Sequence, residues 1–595
     1  MSEGVHHAVA PGDADATVVL PTAGRRPGQF RFAPSLDRPA TAADLAALGG
    51  LNPLVEAANP ILGAAPQIRH ALRHPDPVGL RVRLRAQLED FDRAALAAGV
   101  PEDRRFVARY ALCALLDDAA GATPWGRDWI AGGLSAEVHG ATAGADKFFA
   151  LLDPMLAQPG VYKDLLEFFY VCLALGFEGK YRGGEGGRLA LAQIRTRLYG
   201  IISARRPQAG DLSARWRGAE IRSRRDWLAL IRATIDWTTR AAKPPEAPTP
   251  EVALLQQRFA EAAGVVRRAR FVGGDGRRRA MSQLPWYLVI GAPGSGKTTA
   301  LLHSGLRFPL GDAPGEQTLH RSGGTRNCDW WFTDEAVLVD TAGRYTTDDV
   351  DADRAAWLGL LDLFKLHRPK QPLNGVIAAL SVYDLLHWTD EEIARYAGQT
   401  RERVAELQAR LGMRVPVYLV VTKADLLAGF AEFFSGFDPE QRAQVWGVTF
   451  DRSEVHADGG QLVRRFDEEF DHLERRLYNA LPARLQEERD LQRRGAIYRF
   501  PQQLRGVRPL IATYVDAGFG SGWKGERPLL RGVYLASGTQ EGGPIDRVLA
   551  TLSRSYNLER KVQPPNVGTG KSFFLRRLLR EVVFGEAGLA EADRR

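Results

Sequence analysis

The sequence predicts a multi-domain protein in which an N-terminal all-α helical bundle precedes an α/β domain with a parallel sheet and an additional helical subdomain. Three observations lead to this fold class. The chain has 595 residues, which is more than one hydrophobic core usually serves. Apolar residues recur at helical spacing in its first third. From about residue 251, short apolar runs alternate with helical segments instead.

Composition narrows the class of protein. With 45% hydrophobic and 25% charged residues, the chain has the make-up of a soluble globular protein. Its three cysteines have no paired spacing, which argues against a zinc site or a disulfide framework and fits a reducing compartment. The formal net charge of +8 suits anionic partners, but no RNP-like or zinc-finger pattern accompanies it. Nucleic acid is therefore not an expected partner.

No membrane-crossing or secretory segment is predicted. The longest apolar stretch, FFYVCLALGF at 168–177, is about half of the ~20 residues that cross a bilayer. The N-terminus lacks a basic segment followed by an apolar core, which a secretory signal would need. We therefore expect a soluble chain.

The first part of the chain divides into a tail, a bundle and a linker. Residues 1–40, rich in Pro, Gly, Ala and Asp, are predicted to be a disordered tail. Residues 41–205 are predicted to form the helical bundle. Residues 206–250, which are polar and rich in Arg and Pro, are predicted as a linker and as the seam of a fusion. One bundle helix places five apolar residues at helical spacing: Leu80, Leu84, Leu88, Phe91 and Leu96.

The remainder is predicted to contain the parallel sheet. Residues 251–427 carry most of it, residues 428–527 are a helical insertion, and residues 528–595 add the last strand and a C-terminal helical segment. Short apolar runs between helical segments are typical of strands buried on both faces. The strand candidates are residues 286–290, 335–340, 375–380, 415–422 and 532–537.

A glycine-rich loop follows the first of these strands. The stretch GAPGSGKT matches the phosphate-binding pattern G-x-x-x-x-G-K-S/T between an apolar strand and a helix, which is the context that this P-loop requires. Backbone N–H groups would hold phosphate, Lys297 would neutralise its charge, and Thr298 would ligate Mg²⁺. The predicted binding residues are Gly291, Ala292, Pro293, Gly294, Ser295, Gly296, Lys297, Thr298 and Thr299.

The stretch VLVDTAGRY at 337–345 supplies a second part of the site. Asp340 ends an apolar strand and would join the Mg²⁺ shell, and Gly343 would approach the terminal phosphate with its N–H. This D-x-x-G spacing after a P-loop is typical of GTPase-like domains. Arg344 stands where such proteins often have a water-orienting Gln, and Arg has no acceptor atom. Arg344 either stabilises charge in the transition state or points to solvent. Slow intrinsic hydrolysis is therefore predicted, with Lys297, Asp340 and Arg344 as the catalytic residues.

A third part would read the base. Thr422, Lys423 and Asp425 resemble the N/T-K-x-D motif, in which the Asp accepts two guanine N–H groups. This chemistry favours GTP over ATP, although Thr replaces the commoner Asn and the choice stays open. Two residues after the last strand, Ser537 and Gly538, would close over the base.

One further threonine has two readings. Thr325, before the run CDWWF, either completes the metal shell or is an ordinary loop threonine.

Beyond these motifs, the second half of the chain resembles the cytoplasmic region of the IcmF/TssM family. The blocks that carry the resemblance are LPWYLVIGAPGSGKTTALLHSGLRFPL, DTAGRY, PLNGVIAALSVYDLL, VVTKADLL, LRGVYLASGTQEGGPIDRVL and SFFLRRLLREVVFGEAGL, within about residues 220–592. That family is an inner-membrane component of bacterial type VI secretion systems. The resemblance therefore implies the cytoplasmic face of the inner membrane.

The front of the chain resembles the DotU/TssL family. The matching blocks are NPLVEAANPIL, RYALCALLDDA, TPWG, KFFALLDPML and LLEFFYVCLALGFEGKYR. The resemblance implies an all-helical cytoplasmic bundle that contacts the IcmF/TssM part, other membrane-complex proteins and the baseplate. Members of both families carry membrane anchors that this sequence lacks. We expect either an engineered joining of two cytoplasmic parts or an unusual natural fusion.

Two functions from different classes fit these expectations. In the first, the chain is a scaffold and nucleotide switch, with GTP or ATP and Mg²⁺ changing how its domains pack. In the second, it is a nucleoside triphosphatase whose turnover powers assembly or effector recruitment. The residues favour nucleotide binding and leave turnover open.

Overall fold

The computed structural model describes residues 49–592, with gaps, and the predicted tail lies outside the described part. Most of the predicted linker also lies outside it. The residues left undescribed within that span are 131, 141–143, 184, 208–209, 214, 217–249, 269, 273–277, 281–283, 309–327, 348–350, 452–458, 521–522, 524–526, 540–542 and 559–569.

The N-terminal region is helical. Its helices are α1 Pro53–His70, α2 Pro77–Ala97, α3 Glu102–Gly121, α4 Arg127–Ile130, α5 Leu134–His139, α6 Gly144–Ala157, α7 Lys163–Ala174 and α8 Glu185–Ser203. The first two begin alike, since Asn52 and Asp76 each accept an N–H bond as N-cap and a proline follows. In α2, four of the five predicted core residues are buried, but Leu96 is 59% exposed. Ala95 takes the inward position instead.

The second region is built on a seven-stranded sheet. Its strands are β3 Trp286–Ile290, β4 Cys328–Phe332, β5 Val337–Thr341, β6 Gly375–Ser381, β8 Pro416–Thr422, β9 Gly447–Thr449 and β10 Leu529–Leu535. They lie in the order β4-β5-β3-β6-β8-β10-β9. Two small pairs lie outside this sheet: β1 Arg270–Val272 with β2 Arg278–Ala280, and β7 Met413–Arg414 with β11 Glu591–Ala592.

The sheet is mixed, whereas the sequence predicted a parallel one. The five central strands run parallel, but β4 and β9 are antiparallel to their neighbours at the two edges. An antiparallel strand is common at the edge of an otherwise parallel sheet. All five predicted strands are present in the sheet. The strand β9 was missed because three residues cannot show a repeat, and it lies inside the stretch predicted to be helical.

Helices surround the sheet and extend from it. They are α9 Pro250–Arg268, α10 Lys297–Leu302, α11 Arg344–Thr347, α12 Asp351–His367, α13 Val382–His387, α14 Asp390–Leu411, α15 Phe430–Phe433, α16 Pro439–Arg442, α17 Gly459–Glu487, α18 Leu491–Phe519 and α19 Arg547–Tyr556. A π-helical turn, Leu578–Val583, packs on one face of the sheet. Within the described residues, no helix has both the length and the apolar character needed to span a bilayer.

The N-terminal helices dock on α17, α18 and α19. The Asn59 amide oxygen on α1 accepts hydrogen bonds from Tyr498 Oη at 2.6 Å and Gln502 Nε2 at 3.0 Å, both on α18. Tyr170 Oη on α7 donates to the Pro482 carbonyl of α17 at 2.7 Å. His74 Nε2 lies 2.9 Å from the Tyr556 carbonyl of α19. The contact therefore combines apolar burial with satisfied polar groups, as a stable interface requires.

A buried ion pair fixes the C-terminal segment to the sheet. The Arg531 guanidinium on β10 donates to Glu586 through Nε at 2.8 Å and Nη2 at 2.5 Å. Tyr418 Oη on β8 donates to the same carboxylate at 3.0 Å. Both charged residues are at most 4% exposed, so each depends on the other for compensation.

We expect Glu586→Gln to destabilise the protein by about 3–5 kcal/mol, because it leaves a buried guanidinium without a counter-charge. Thermal unfolding followed by tryptophan fluorescence measures the change as a lower midpoint. The double variant Arg531→Met with Glu586→Leu removes both charges and should unfold at a higher temperature than the single variant. A double variant that is no more stable than Glu586→Gln would contradict this account.

Candidate functional site

The glycine-rich loop lies at the carboxyl end of β3, near the middle of the sheet. The chain leaves β3 for β5 on one side and later returns to β6 on the other. In open α/β sheets, such a reversal leaves a crevice outside the carboxyl ends of the strands, and ligands bind there. The loop runs from Gly291 to Gly296, and α10 begins at Lys297.

The backbone of the loop requires glycine at two positions. Gly294 and Gly296 have φ values of 76° and 81°, in the left-handed region that side chains disfavour. Within the same loop, the hydroxyl of Ser295 is buried and has no hydrogen-bond partner among the described residues. A buried hydroxyl without a partner fits a loop that is shaped to receive a polar ligand.

Lys297 is folded back onto this loop. Its Nζ donates to the carbonyl of Gly291 at 2.7 Å and to that of Ala292 at 3.0 Å, and the residue is 7% exposed. Burial lowers the pKa of Lys297, while the charges of Asp340 and Asp384 act in the opposite direction. An anion bound in the loop would supply the counter-charge that burial makes necessary.

The predicted metal-binding pair is in contact. Thr298 Oγ1 donates to Asp340 Oδ2 at 2.5 Å, and Asp340 is fully buried at the end of β5. Gly343 approaches the loop so closely that a Cβ there would collide with the backbone nitrogen of Pro293. The structure therefore brings the loop, Asp340 and Gly343 together. The remaining predicted metal ligand, Thr325, lies outside the described residues.

Two of the predicted base-reading residues, Thr422 and Lys423, lie beside the same loop, and Asp425 follows them. Thr422 Oγ1, at the end of β8, donates to the carbonyl of Ser295. Lys423 follows with φ at 57°, and Asp425 is 5% exposed in the short 3₁₀ turn Ala424–Leu426. The strained backbone of Lys423 is the kind of outlier that often accompanies a binding site.

The segment after β10 completes this side. Ser537 exchanges two backbone hydrogen bonds with Phe573, at 3.1 and 2.9 Å. A Cβ at Gly538 would lie 3.0 Å from the carbonyl of Thr299, so this segment lies against the start of α10. The segments after β3, β5, β8 and β10 thus meet at one edge of the sheet.

Arg344 is held by carboxylates. Its guanidinium pairs with Glu251 on α9 and, through Nε at 2.8 Å, with Asp353 on α12. Tyr345 Oη donates to the same Glu251 carboxylate at 3.1 Å. The predicted catalytic role of Arg344 would require breaking both ion pairs, and it stays a prediction.

Two residues of this region were missed by the sequence prediction. Asp384, in the first turn of α13 after β6, interacts electrostatically with Lys423 and Lys297, and burial raises its pKa to about 6 despite both lysines. The stretch SVYDLL could have indicated it, because an Asp just after a parallel strand falls at the ligand edge. Tyr396, on α14, accepts the Ala292 N–H bond at 2.7 Å. No sequence pattern points to Tyr396.

Comparison with known proteins adds a family to each part of the chain. Residues 53–241 match the family model of the type VI secretion system protein DotU, and residues 350–595 match that of the IcmF-related N-terminal domain. The chain joins a DotU domain to an IcmF-related domain. In this DotU–IcmF fusion, the glycine-rich loop lies between the two matched segments.

Two individual proteins are similar to parts of the chain. The type VI secretion system component TssM1 of Pseudomonas aeruginosa is 50% identical to the fusion over 341 residues. That match takes in 57% of this chain but 31% of TssM1, so the fusion spans under a third of that relative. A crystal structure of TssL from Vibrio cholerae is 30% identical, with 26% of this chain and 99% of that chain covered and a TM-score of 0.24.

The raised pKa of Asp384 predicts a pH-dependent stability. The folded state binds this proton more tightly than the unfolded chain does, so the contribution of Asp384 is favourable below about pH 4 and is lost as the pH rises through about 6. We expect Asp384→Asn to raise the thermal midpoint at pH 7.5 and to match the parent at pH 4.

Thermal denaturation of both proteins across pH 4–8 measures this difference. The matched control is Asp362→Asn, which alters an exposed aspartate that Arg410 holds with two 2.6 Å bonds. It should bring no gain at pH 7.5. Parallel pH curves for the parent and Asp384→Asn would show that Asp384 does not titrate in this window.

Proposed function

We propose that this chain is part of the type VI secretion membrane complex, at the cytoplasmic face of the bacterial inner membrane. In this proposal it binds a nucleoside triphosphate with Mg²⁺ through a P-loop, GTPase-like domain. It also acts as a scaffold between the inner-membrane complex and the baseplate. The observation that carries the nucleotide part is the convergence of Lys297, the Thr298–Asp340 pair, Gly343 and Asp425 at one edge of the sheet.

Phosphate would be held by the loop and by Lys297. The first N–H groups of a helix lack intrahelical acceptors and carry the positive end of the helix dipole, so those at the start of α10 would face the bound phosphate. On binding, the Lys297 ammonium would exchange its two loop carbonyls for phosphate oxygens, which offer full negative charge. Gly343 would donate its N–H to the terminal phosphate, and its close approach to the loop at Pro293 supports this role.

The residues also suit Mg²⁺. This ion prefers oxygen ligands and usually takes one or two protein groups, with water and phosphate completing its shell. Thr298 Oγ1 and Asp340 Oδ2, which lie 2.5 Å apart, offer such a pair. The ion would neutralise phosphate charge, while the hydroxyl and the carboxylate of this chain fix its position.

Base recognition would fall to Asp425. A carboxylate accepts both the N1–H and N2–H groups of guanine, whereas adenine presents no such pair of donors. The low exposure of Asp425 supports this role, because a buried acceptor gains most from a matched donor. GTP is therefore favoured over ATP.

The scaffold role is supported by the docked bundle. Asn59 accepts a hydrogen bond from α18 and Tyr170 donates one to α17, and these contacts support docking of the DotU domain on the IcmF-related domain. We infer that the two domains act as one unit, and that membrane-complex and baseplate proteins of the secretion system bind its exposed faces. The alternative is a hydrolase that powers assembly or effector recruitment. The carboxylates that hold Arg344 favour binding with slow turnover.

Loss of the loop lysine tests nucleotide binding and turnover together. We expect Lys297→Ala to weaken binding of a fluorescent mant-nucleotide with Mg²⁺ at least about 100-fold, since it removes a buried charge-assisted contact to phosphate. Fluorescence titration measures the affinity, and phosphate release at saturating GTP and ATP measures turnover. Rapid multiple turnover that Lys297→Ala abolishes would favour the hydrolase over the switch. A parent chain that binds neither nucleotide would refute the proposal.

The choice of base is tested at Asp425. We expect Asp425→Ala to weaken GTP about tenfold to a hundredfold and to leave ATP within about twofold, because guanine alone loses a pair of hydrogen bonds. Competition of unlabelled GTP and ATP against one mant-nucleotide gives both constants on the same protein. Equal losses for the two nucleotides would remove Asp425 from base recognition.

A further inference from the structure

The second residue of the loop is held from two sides. The Ala292 N–H donates to Tyr396 Oη at 2.7 Å, and the Ala292 carbonyl accepts from Lys297 Nζ at 3.0 Å. Tyr396 lies on α14 and is 4% exposed. The Lys297 bond would be given up when the lysine turns to phosphate. Ala292 would then keep the bond to Tyr396 and a bond within the loop, in which its carbonyl accepts the Ser295 N–H at 3.1 Å. Of these two, the Tyr396 bond connects Ala292 to a residue outside the loop.

Such a contact matters for a loop rich in glycine. Gly291, Gly294 and Gly296 allow the loop its shape, but they also allow many others. A binding site reaches full affinity when its groups are held near the productive geometry before the ligand arrives. A rigid aromatic side chain on a 22-residue helix is well suited to do this.

Tyr396 is in turn fixed to α18. Its ring lies 5.9 Å from that of Tyr514, measured between centroids. Tyr514 Oη donates to Thr400 Oγ1 at 2.8 Å, and Thr400 Oγ1 donates to the Tyr396 carbonyl at 3.2 Å. All three residues are buried, so their positions are set by packing as well as by hydrogen bonds.

The same helix carries the bundle. Tyr498 and Gln502 of α18 both donate to Asn59 of α1. Tyr498 precedes Tyr514 by 16 positions, which is about 24 Å along a helix. Pro501 and Pro509 lie between them, and each removes a backbone hydrogen bond and so creates a point where a helix can bend. One element therefore contacts the bundle at one end and the loop anchor at the other.

We propose that Tyr396 is a positioning residue for the phosphate loop, and that α18 makes the affinity of the loop for nucleotide depend on the contact that the bundle makes with α18 at Asn59. This inference rests on the proposed nucleotide binding and adds its regulation. Linkage requires the effect to be reciprocal, so bound nucleotide would also strengthen bundle docking. A double-mutant cycle measures such coupling.

Three tyrosine-to-phenylalanine variants in the full chain give a matched test. Tyr396→Phe removes the loop anchor, Tyr498→Phe removes one bundle contact to α18, and Tyr170→Phe removes a bundle contact to α17. We expect mant-nucleotide binding to weaken about fivefold to tenfold in Tyr396→Phe and about twofold to threefold in Tyr498→Phe. Tyr170→Phe should bind as the parent does.

A double-mutant cycle of Tyr396 and Tyr498, together with hydrogen exchange, tests the coupling further. In the Tyr396→Phe background, Tyr498→Phe should have no further effect on affinity. Hydrogen exchange of the peptide containing Ala292 should be faster in Tyr396→Phe without nucleotide, while the thermal midpoint stays within a few degrees. Asn59→Ala removes the acceptor on the bundle side and should repeat the effect of Tyr498→Phe.

Several results would overturn the inference. Unchanged affinity and exchange in Tyr396→Phe would remove its positioning role. Equal losses for Tyr498→Phe in both backgrounds, or a loss in Tyr170→Phe as large as in Tyr498→Phe, would refute the coupling through α18. If the parent chain binds nucleotide while one of these results is found, the inference fails but the proposed nucleotide binding does not. A parent that binds none overturns both.

Discussion

Burial of α18 is the constraint on which both halves of the molecule depend. Most of its length is enclosed by α14, α17, α19 and the N-terminal bundle, and it even buries a charged residue, Arg499. That guanidinium is compensated by Asp546, the N-cap of α19, at 3.2 Å. A helix with so many buried neighbours cannot shift without repacking, because protein interiors are close-packed. The positions of the bundle and the sheet are therefore tied to each other through α18.

The electrostatics of the loop edge have a common origin in the parallel strands. Parallel strands bring their carboxyl ends to one edge, and here that edge collects Lys297, Lys423, Asp340 and Asp384. Burial disfavours the charged form of both side chains. It therefore lowers the pKa of Lys297 and raises that of Asp384. Keeping these charged groups away from water costs free energy. A ligand of complementary charge would reduce that cost.

The sequence predicted much of this edge because its motifs follow strands. The spacing of Gly291, Gly296 and Lys297 after an apolar run indicated the strand, the loop and the helix, and the order of later motifs indicated that Asp340 and Asp425 would meet the loop. Each of these relations is local or follows from strand direction. The ion pair of Arg344 with Glu251 could not be predicted in this way, because the two residues are 93 positions apart in the sequence.

Residues defined by packing could not be predicted. Tyr396 and Tyr514 meet across two helices that are far apart in sequence, and an apolar repeat gives a buried face without naming its partner. Leu96 shows the same limit from the other side, because it lies five positions after Phe91, one more than the spacing that returns to the buried face, and Ala95 takes that place. Edge strands as short as β9 carry too few residues for any repeat.

The bridge between Ser537 and Phe573 has a mechanical consequence. Two backbone hydrogen bonds connect the C-terminal segment to the segment beside Gly538, whereas the Arg531–Glu586 pair connects it to the interior of the sheet. Tension applied to the segment between these points would load the two-bond bridge. Force applied beyond Glu586 would instead pass through the ion pair to β10, and the bridge would be shielded from it. The C-terminal segment is thus attached by a weak bridge near the loop edge and by a stronger ion pair in the sheet.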